Sequence, residues 1–186
     1  MFPSRSCTVR LKQLWAISVA PGVWMTMQPP LWQRLVTPLL YLLPWSDAIP
    51  LGFAEGGLFL QYPLLSPLAL PAIPLMQLER SIPFGLGGIL LFFVLFLGVV
   101  RNPNVPYFVR FNALQALLTD IALIVLSIGF RLLLTPLAAG SLLLGTLSST
   151  VVIAVLAILL FALVECLRGR EPDLPGISQA VRMQLY

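Results

Sequence analysis

One long apolar run near the C-terminus constrains what this chain can fold into more than any other feature. The run Ser141–Leu167 contains a single charged residue, Glu165, close to its end. A helix of about 20 predominantly apolar residues crosses a bilayer, and this run is longer. Apolar residues make up 59% of the 186 residues and charged residues 10%, whereas a soluble domain is about a quarter charged. No interior of this size holds so much apolar surface, so lipid is the expected solvent.

Similar runs predict an all-α, polytopic membrane protein built as a four-helix transmembrane bundle. The predicted spans are Trp32–Leu51, Ser81–Val100, Phe111–Leu134 and Ser141–Leu167. A transmembrane barrel would instead show alternating segments of about ten residues, which the unbroken runs exclude. The predicted domains are a basic N-terminal arm (residues 1–30), the four-span domain (31–168) and a polar C-terminal tail (169–186). A cleaved signal peptide is the alternative for the arm.

A proline-rich segment lies between the first and second predicted spans. Leu58–Leu78 carries no charge, but it contains Pro63, Pro67, Pro71 and Pro74. Each interior proline removes a backbone hydrogen bond from a helix. We therefore predict a re-entrant or interfacial segment here, with a fifth span as the alternative.

The distribution of basic residues favours four spans over five. Four spans place nine of the eleven Lys and Arg residues on one side of the membrane: Arg5, Arg10, Lys12, Arg34, Arg101, Arg110, Arg168, Arg170 and Arg182. A fifth span would put the N-terminal arm opposite the tail and divide these charges. Because basic residues concentrate on the cytoplasmic side, we predict that both termini lie on the cytoplasmic or stromal side.

The third predicted span carries a row of polar side chains into the membrane. These residues, called the polar seam here, are Asn112, Gln115, Thr119, Asp120, Ser127 and Arg131. At 3.6 residues per turn they fall within about 160° of the helix circumference. Two interpretations are open: interhelical hydrogen bonds that fix the bundle, or the lining of a substrate path.

Asp120 is the most demanding member of the polar seam, because an Asp at a span centre costs roughly 2.5–3.5 kcal/mol on insertion scales. Counting about nine residues into span 1, which runs parallel to span 3, brings Tyr41 to the same depth. A phenol can donate a hydrogen bond to a carboxylate. We predict that Asp120 faces the bundle interior, with Tyr41 as its candidate partner. Another hydroxyl, an amide or a trapped water is the alternative.

Two further groups of residues have a predicted role. Arg101 and Arg110 bracket a proline-containing loop; this basic loop is interpreted as a topology anchor, with docking of a partner or an anionic lipid as the alternative. The small residues Ser141, Gly145, Ser148 and Ser149 have the spacing of a helix-packing face. Arg131 is expected at the depth of Ser148, where hydroxyl groups or backbone carbonyls would cap it.

Signatures of an enzyme are absent from the sequence. There is no His, and the two Cys residues lack metal-ligand spacing. No glycine-rich phosphate loop follows a strand, and no pair of carboxylates has a catalytic spacing. We predict that the chain is not an enzyme and holds no cofactor or metal. Its basic residues lie near span ends, which argues against a nucleic-acid partner.

Three stretches of the sequence resemble a known family. GVVRNPNVPYFVRFNALQALLTDIAL is similar to the signature of the Tic-twenty family, the twenty-kilodalton subunit of the translocon at the inner envelope membrane of chloroplasts. YLLPWSDAIPLG in the first span and CLRGREPDLPGISQAVRMQ after the fourth agree with it, in the same order. The resemblance covers about residue 33 to the end and leaves the first thirty residues outside.

The resemblance implies a four-helix membrane protein of a preprotein import complex, either lining its channel or not. The implied partners are the lipid bilayer, other membrane subunits and a preprotein. Plastid members encoded in the nucleus carry long transit peptides, for which this chain has no room. We therefore expect a cyanobacterial or plastid-encoded member, in a cyanobacterial plasma or thylakoid membrane or the plastid inner envelope. The alternative function is a non-conducting scaffold subunit of a larger photosynthetic-membrane or transport complex.

Overall fold

The computed structural model describes residues 29–130, 132 and 141–185, without the side chains of Ser141 and Leu142. Helices cover most of this part of the chain and no strand occurs in it, so the all-α prediction is confirmed. The N-terminal arm lies almost entirely outside the described residues, and Arg131 lies outside them too.

The first predicted span forms an interrupted helical rod. Helix α1 (Leu31–Val36) continues through a 3₁₀ turn (Thr37–Tyr41) into helix α2 (Leu42–Gly52). The 3₁₀ turn begins where Pro38 occupies one of its first two positions, because proline lacks the N–H that a regular helix would need there. Pro50 lies inside α2 near its end.

The proline-rich segment is a series of short helical pieces. Helix α3 (Leu58–Gln61) leads into a 3₁₀ helix (Pro63–Ala72) and then into helix α4 (Ile73–Ser81). The indole Nε1 of Trp45 donates to the carbonyl of Leu68 at 3.1 Å, which ties the segment to α2. Its path relative to the membrane stays a prediction.

The second apolar helix begins later than predicted. Ser81, the predicted start, instead ends α4; helix α5 runs over Gly87–Leu95 and continues as a π-helical turn, Phe96–Val100. The break arises at Pro83, which holds Ile82 in an extended conformation at φ −89° and ψ 122°. Phe84 follows at φ 64°, in the left-handed region that non-glycine residues rarely adopt.

Among the residues that the structure describes, two helices are long and apolar enough to cross a membrane. Helix α6 spans Tyr107–Gly129 and helix α7 spans Ser141–Leu167. Within α7, Leu143–Leu167 is the part that is long and apolar enough. Helix α6 begins before the predicted Phe111, directly after Pro106. The apolar helix Gly87–Val100 is shorter. The chain therefore shows two clear candidate spans, and the four-span bundle stays a prediction.

The core lies where α2 packs between α6 and α7. Trp45, Ala48 and Ile49 of α2 pack with Leu123 of α6 and with Val152 of α7. After α7, helix α8 (Ile177–Leu185) folds back onto α6, where Val181 joins a second cluster around Phe111 and Leu117. This arrangement surrounds the N-terminal half of α6 with protein.

The burial pattern of helix α6 is the reverse of that in a water-soluble protein, because its polar residues are buried and many apolar residues are exposed. Its polar residues Asn112, Gln115, Thr119 and Asp120 are buried. Leu123 is buried in the core, but most apolar residues that follow Asp120 are exposed, namely Ile121, Ile124, Val125, Leu126 and Ile128. Buried polar groups beside exposed apolar ones are what an apolar solvent selects, which agrees with a membrane setting.

Candidate functional site

Tyr41 joins the interrupted first rod to the polar seam. The Tyr41 hydroxyl donates towards Asn112 Oδ1 at 3.1 Å and Gln115 Oε1 at 3.3 Å. A phenol has one proton, so the two amide oxygens share it. All three side chains are almost fully buried. Tyr41 is the last residue of the 3₁₀ turn, so the contact is made where the first rod changes its helix type.

Gln115 extends the network to the C-terminal tail. Its amide Nε2 donates to the carbonyl of Pro172 at 3.1 Å and to Ser178 Oγ at 3.2 Å. Ser178 Oγ also accepts a bond from the backbone N–H of Leu174 at 2.7 Å, which orders the turn before α8. The tail thereby covers the N-terminal half of the polar seam.

Asn112 and Thr119 complete this network. Asn112 Nδ2 donates to the carbonyl of Phe108 at 2.8 Å, and the Cys166 thiol donates to Asn112 Oδ1 at 3.4 Å. Thr119 Oγ1 donates to the carbonyl of Gln115 at 2.9 Å. The side-chain amides of Asn112 and Gln115 and the hydroxyl of Thr119 therefore all have protein partners. These three residues and their partners form a closed hydrogen-bonded network, called the clamp here.

Asp120 is buried, with 2% of its surface exposed, but Tyr41 is not its partner. Its carboxyl group is in hydrogen-bonding contact with that of Asp47 in α2. The predicted pairing is corrected because the depth count assumed that α6 begins at Phe111. The helix begins at Tyr107, which moves Asp120 about one turn deeper than the count placed it.

The contact between Asp47 and Asp120 has a chemical requirement. Carboxylates only accept hydrogen bonds, so two carboxyl groups bond to each other only when one carries a proton. Asp120 Oδ1 has no further hydrogen-bond partner among the described residues. Glu79 of α4 also lies near these two carboxyl groups. Sequence reasoning missed Asp47, although a carboxylate within a predicted span was the available signal.

The other end of the polar seam borders open space. Ser127 is half-buried and lines two cavities of about 220 and 290 Å³. Pro50 and Leu51 of α2 line both cavities, Ser148 of α7 lines the first, and Asp47 the second. The polar seam thus has two different parts: its first residues are hydrogen-bonded to protein groups, whereas Ser127 lines cavities.

The small residues of α7 lie in different surroundings. Gly145 packs directly on the backbone of Gly56, in the turn between α2 and α3 rather than in a helix. Ser148 is buried and its hydroxyl donates to the carbonyl of Gly145 at 3.0 Å. The Ser149 hydroxyl is buried without a partner in the described part of the chain. The side chains of Ser141 and Arg131 lie outside that part, so the predicted capping of Arg131 stays a prediction.

The basic loop is anchored at one of its two arginines. Arg110 Nε donates to the carbonyl of Val100 at 2.8 Å, which closes the loop between α5 and α6. Arg101 is exposed at the end of the π-helical turn. Both arginines line one cavity.

Comparison with known proteins identifies a single family. The family model described as "Chloroplast import apparatus Tic20-like" matches residues 5–181, so the match extends into the first thirty residues, which the sequence resemblance had left out. "Tic20 family protein" of Synechocystis sp. is 35% identical over 152 residues, covering 82% of this chain and 92% of that protein. "Protein TIC 20-v, chloroplastic" of Arabidopsis thaliana is 32% identical, covering 82% and 70%. "Protein TIC 20-II, chloroplastic" of the same plant is also 32% identical, covering 84% and 74%.

Proposed function

This chain belongs to the Tic20 family, and on that premise we propose that it is an integral membrane component of a protein translocation apparatus. The family description names a chloroplast import apparatus, and α6 and α7 are long and apolar enough to cross a membrane. The proposed partners are the bilayer, other membrane subunits and a preprotein substrate. The proposed location is a cyanobacterial plasma or thylakoid membrane or the plastid inner envelope, with both termini on the cytoplasmic or stromal side.

Within such an apparatus, we propose that the interior of this chain supports the complex and is not itself the conduit. The hydrogen bonds of Tyr41, Asn112 and Gln115 carry this proposal. A polypeptide passing along the polar seam would have to break these bonds and displace Pro172 and Ser178. Leaving buried amides unpaired costs about 1–3 kcal/mol per group, so the clamp opposes passage.

A second candidate role is the lining of a conduit shared with a neighbouring subunit. The cavities beside Ser127 support this role, because they border the same helix as the hydrogen bonds of Asn112 and Gln115, and Asp47 lines one of them. The exposed apolar face of α6 near Ile128 would then meet another chain rather than lipid. The two roles differ in what touches the C-terminal half of α6 during translocation.

Membership of the apparatus is tested by purification. The full chain, carrying an affinity tag, is isolated in a mild detergent from membranes that hold an arrested translocation substrate. We expect the substrate and other translocation subunits to be recovered with it. Recovery of the same proteins with an unrelated tagged membrane protein, or absence of the substrate, would overturn the proposal.

The role within the apparatus is tested by photo-crosslinking. A photoreactive residue replaces Ile128, which lines the cavity of about 290 Å³, or Val125, an exposed neighbour on the same helix that lines neither cavity. In a supporting role, both positions crosslink to lipid or to subunits and neither to the arrested substrate. Substrate crosslinks at Ile128 but not at Val125 would reject the supporting role in favour of conduit lining.

A further inference from the structure

A cavity that the polar seam does not use lies between α5, α6 and α8. Its volume is about 490 Å³, within the range of about 300–1,000 Å³ that is typical of ligand pockets. Two arginines, Arg101 and Arg110, line it together with the apolar residues Phe96, Leu114 and Leu185. This cavity is called the Arg101–Arg110 pocket here.

The charge in this pocket is positive. Both charged residues of its lining are arginines, and the remaining lining residues are apolar or, like Gln184, neutral. Arg110 is half-buried and held by the bond from its Nε to the carbonyl of Val100, which leaves its terminal N–H groups for another acceptor. Guanidinium groups present a planar fork of donors that matches phosphate and carboxylate oxygens.

The pocket lies at the level of the predicted membrane boundary. Arg101 directly follows the apolar helix Gly87–Val100, and Arg110 belongs to the first turn of α6. On α5 and the π-helical turn that continues it, the apolar side chains of Phe93, Val94 and Leu97 are exposed, close in sequence to Phe96, which lines the pocket. A molecule with an anionic head and an apolar chain would therefore find both of its surfaces matched.

We propose that the Arg101–Arg110 pocket binds the oxyanion headgroup of an anionic membrane lipid, with an acyl chain lying along α5. Basic pockets between membrane helices on the cytoplasmic side are suited to such headgroups. An acidic peptide would use the two arginines equally well, but it would leave the apolar walls unmatched. The inference does not depend on the proposed function, because it concerns a different face of α6.

Lipid retention by the purified full chain tests the proposal. The protein is reconstituted into nanodiscs that contain neutral lipid with a minor fraction of phosphatidylglycerol, and the lipids retained after detergent extraction are counted by native mass spectrometry. We expect phosphatidylglycerol to be retained in preference to neutral lipid. Arg101→Gln should weaken its affinity about tenfold, the effect of losing one hydrogen bond to a charged group.

A matched control and a second kind of variant separate lipid binding from folding. Arg170→Gln removes one exposed charge on the same predicted side but does not touch the pocket, so its affinity should stay within about twofold of wild type. Leu185→Trp keeps both arginines and fills the pocket, and it should also lower retention. Arg110→Lys keeps the charge but removes the fork, and it gives an intermediate loss if the headgroup is held by two donors. Each variant is first shown to melt as wild type does in neutral lipid.

Three results would overturn the proposal. Equal retention of phosphatidylglycerol by wild type and Arg101→Gln would show that the arginine does not hold the headgroup. Displacement by inorganic phosphate as effective as displacement by the lipid would identify a soluble anion as the ligand. Tighter binding of a soluble poly-glutamate peptide than of the lipid, abolished by Arg101→Gln, would assign the site to an acidic protein partner.

Discussion

The hydroxyl of Tyr41 lies 3.1 Å from Asn112 Oδ1, and this contact locks the interrupted first rod against α6. Asn112 is also bonded to the carbonyl of Phe108 and to the thiol of Cys166. The amide therefore links three helical segments at one buried point. Hydrogen bonds of this kind carry more of the specificity of a membrane bundle than apolar packing does, because lipid solvates apolar faces equally well.

Tyr41→Phe should destabilise the protein by about 1–3 kcal/mol, because it leaves Gln115 Oε1 buried without its donor. The measurement is thermal or denaturant unfolding in mild detergent. Tyr62→Phe is the matched control, since Tyr62 is exposed and far less is lost with its hydroxyl. Equal stability of the two variants would contradict a structural role for the Tyr41 bonds.

The second prediction concerns Gly145, which lies in close contact with the backbone of Gly56. A Cβ at this position would overlap the backbone of Gly56, which cannot move aside as a flexible side chain can. Gly145→Ala should therefore lower the unfolding temperature. Gly129→Ala in α6 is the control, because its added Cβ meets nothing within 4 Å and a helical Gly→Ala change gains about 0.5–1 kcal/mol. A stabilised Gly145→Ala protein would show that the two backbones are not in contact.

The two long helices were predictable because their signal is local. The uninterrupted run of apolar residues is enough to predict α7. Helix α6 begins about one turn before the predicted start, because Pro106 can begin a helix. Pro83 interrupts the helix, but a proline hardly changes the mean hydropathy of the segment. The second span was therefore predicted to begin at Ser81, whereas α5 begins at Gly87.

The hydrogen-bond partners within the candidate site were less predictable, because they depend on which residues of neighbouring helices lie at the same height along the helix axes. Sequence counting brought Tyr41 to α6 but to the wrong acceptor, since its hydroxyl meets Gln115 and Asn112, which lie between one and about two turns before Asp120. The docking of Pro172 and Ser178 onto Gln115 is a tertiary contact with no local signal. Asp47 lay within a predicted span, but only the packing of α2 on α6 brings it to Asp120.

The tail offers a prediction about pH. Burial raises the pKa of Glu171, and the nearby Arg182 only partly opposes this effect. A carboxyl group whose pKa is higher in the folded state favours folding when protonated, so its contribution is present at low pH. That contribution is lost as the pH rises from the ordinary Glu value of 4.5 through the raised folded pKa.

The docking of the tail should therefore weaken over this pH range in the wild type and stay flatter in Glu171→Gln. Protection of α8 amides from hydrogen exchange, corrected for the intrinsic rate at each pH, measures the docking. Glu55→Gln is the control, because Glu55 is exposed and belongs to the turn between α2 and α3 rather than to the tail. A pH profile that is the same in wild type and Glu171→Gln would assign the dependence to another group.

The contact between Asp47 and Asp120 predicts a non-additive pair of substitutions. Asp120→Asn should be neutral or stabilising, because an amide supplies the donor that the Asp47 carboxyl group otherwise obtains only by proton sharing. Asp120→Leu should destabilise the protein by about 1–3 kcal/mol, since it leaves the carboxyl group of Asp47 without its partner.

Replacing both carboxyl groups with leucine should recover most of that loss, because an apolar pair of similar size leaves nothing unsatisfied. The double-mutant cycle of Asp47→Leu and Asp120→Leu, followed by unfolding in mild detergent, measures the coupling directly. We expect a coupling free energy of about 1 kcal/mol or more, because the two side chains are in contact. Ile124→Leu serves as a control, since it alters a neighbouring exposed side chain of α6 without touching a carboxyl group. Strictly additive losses, or an Asp120→Leu protein as stable as wild type, would show that the two carboxyl groups do not share a hydrogen bond.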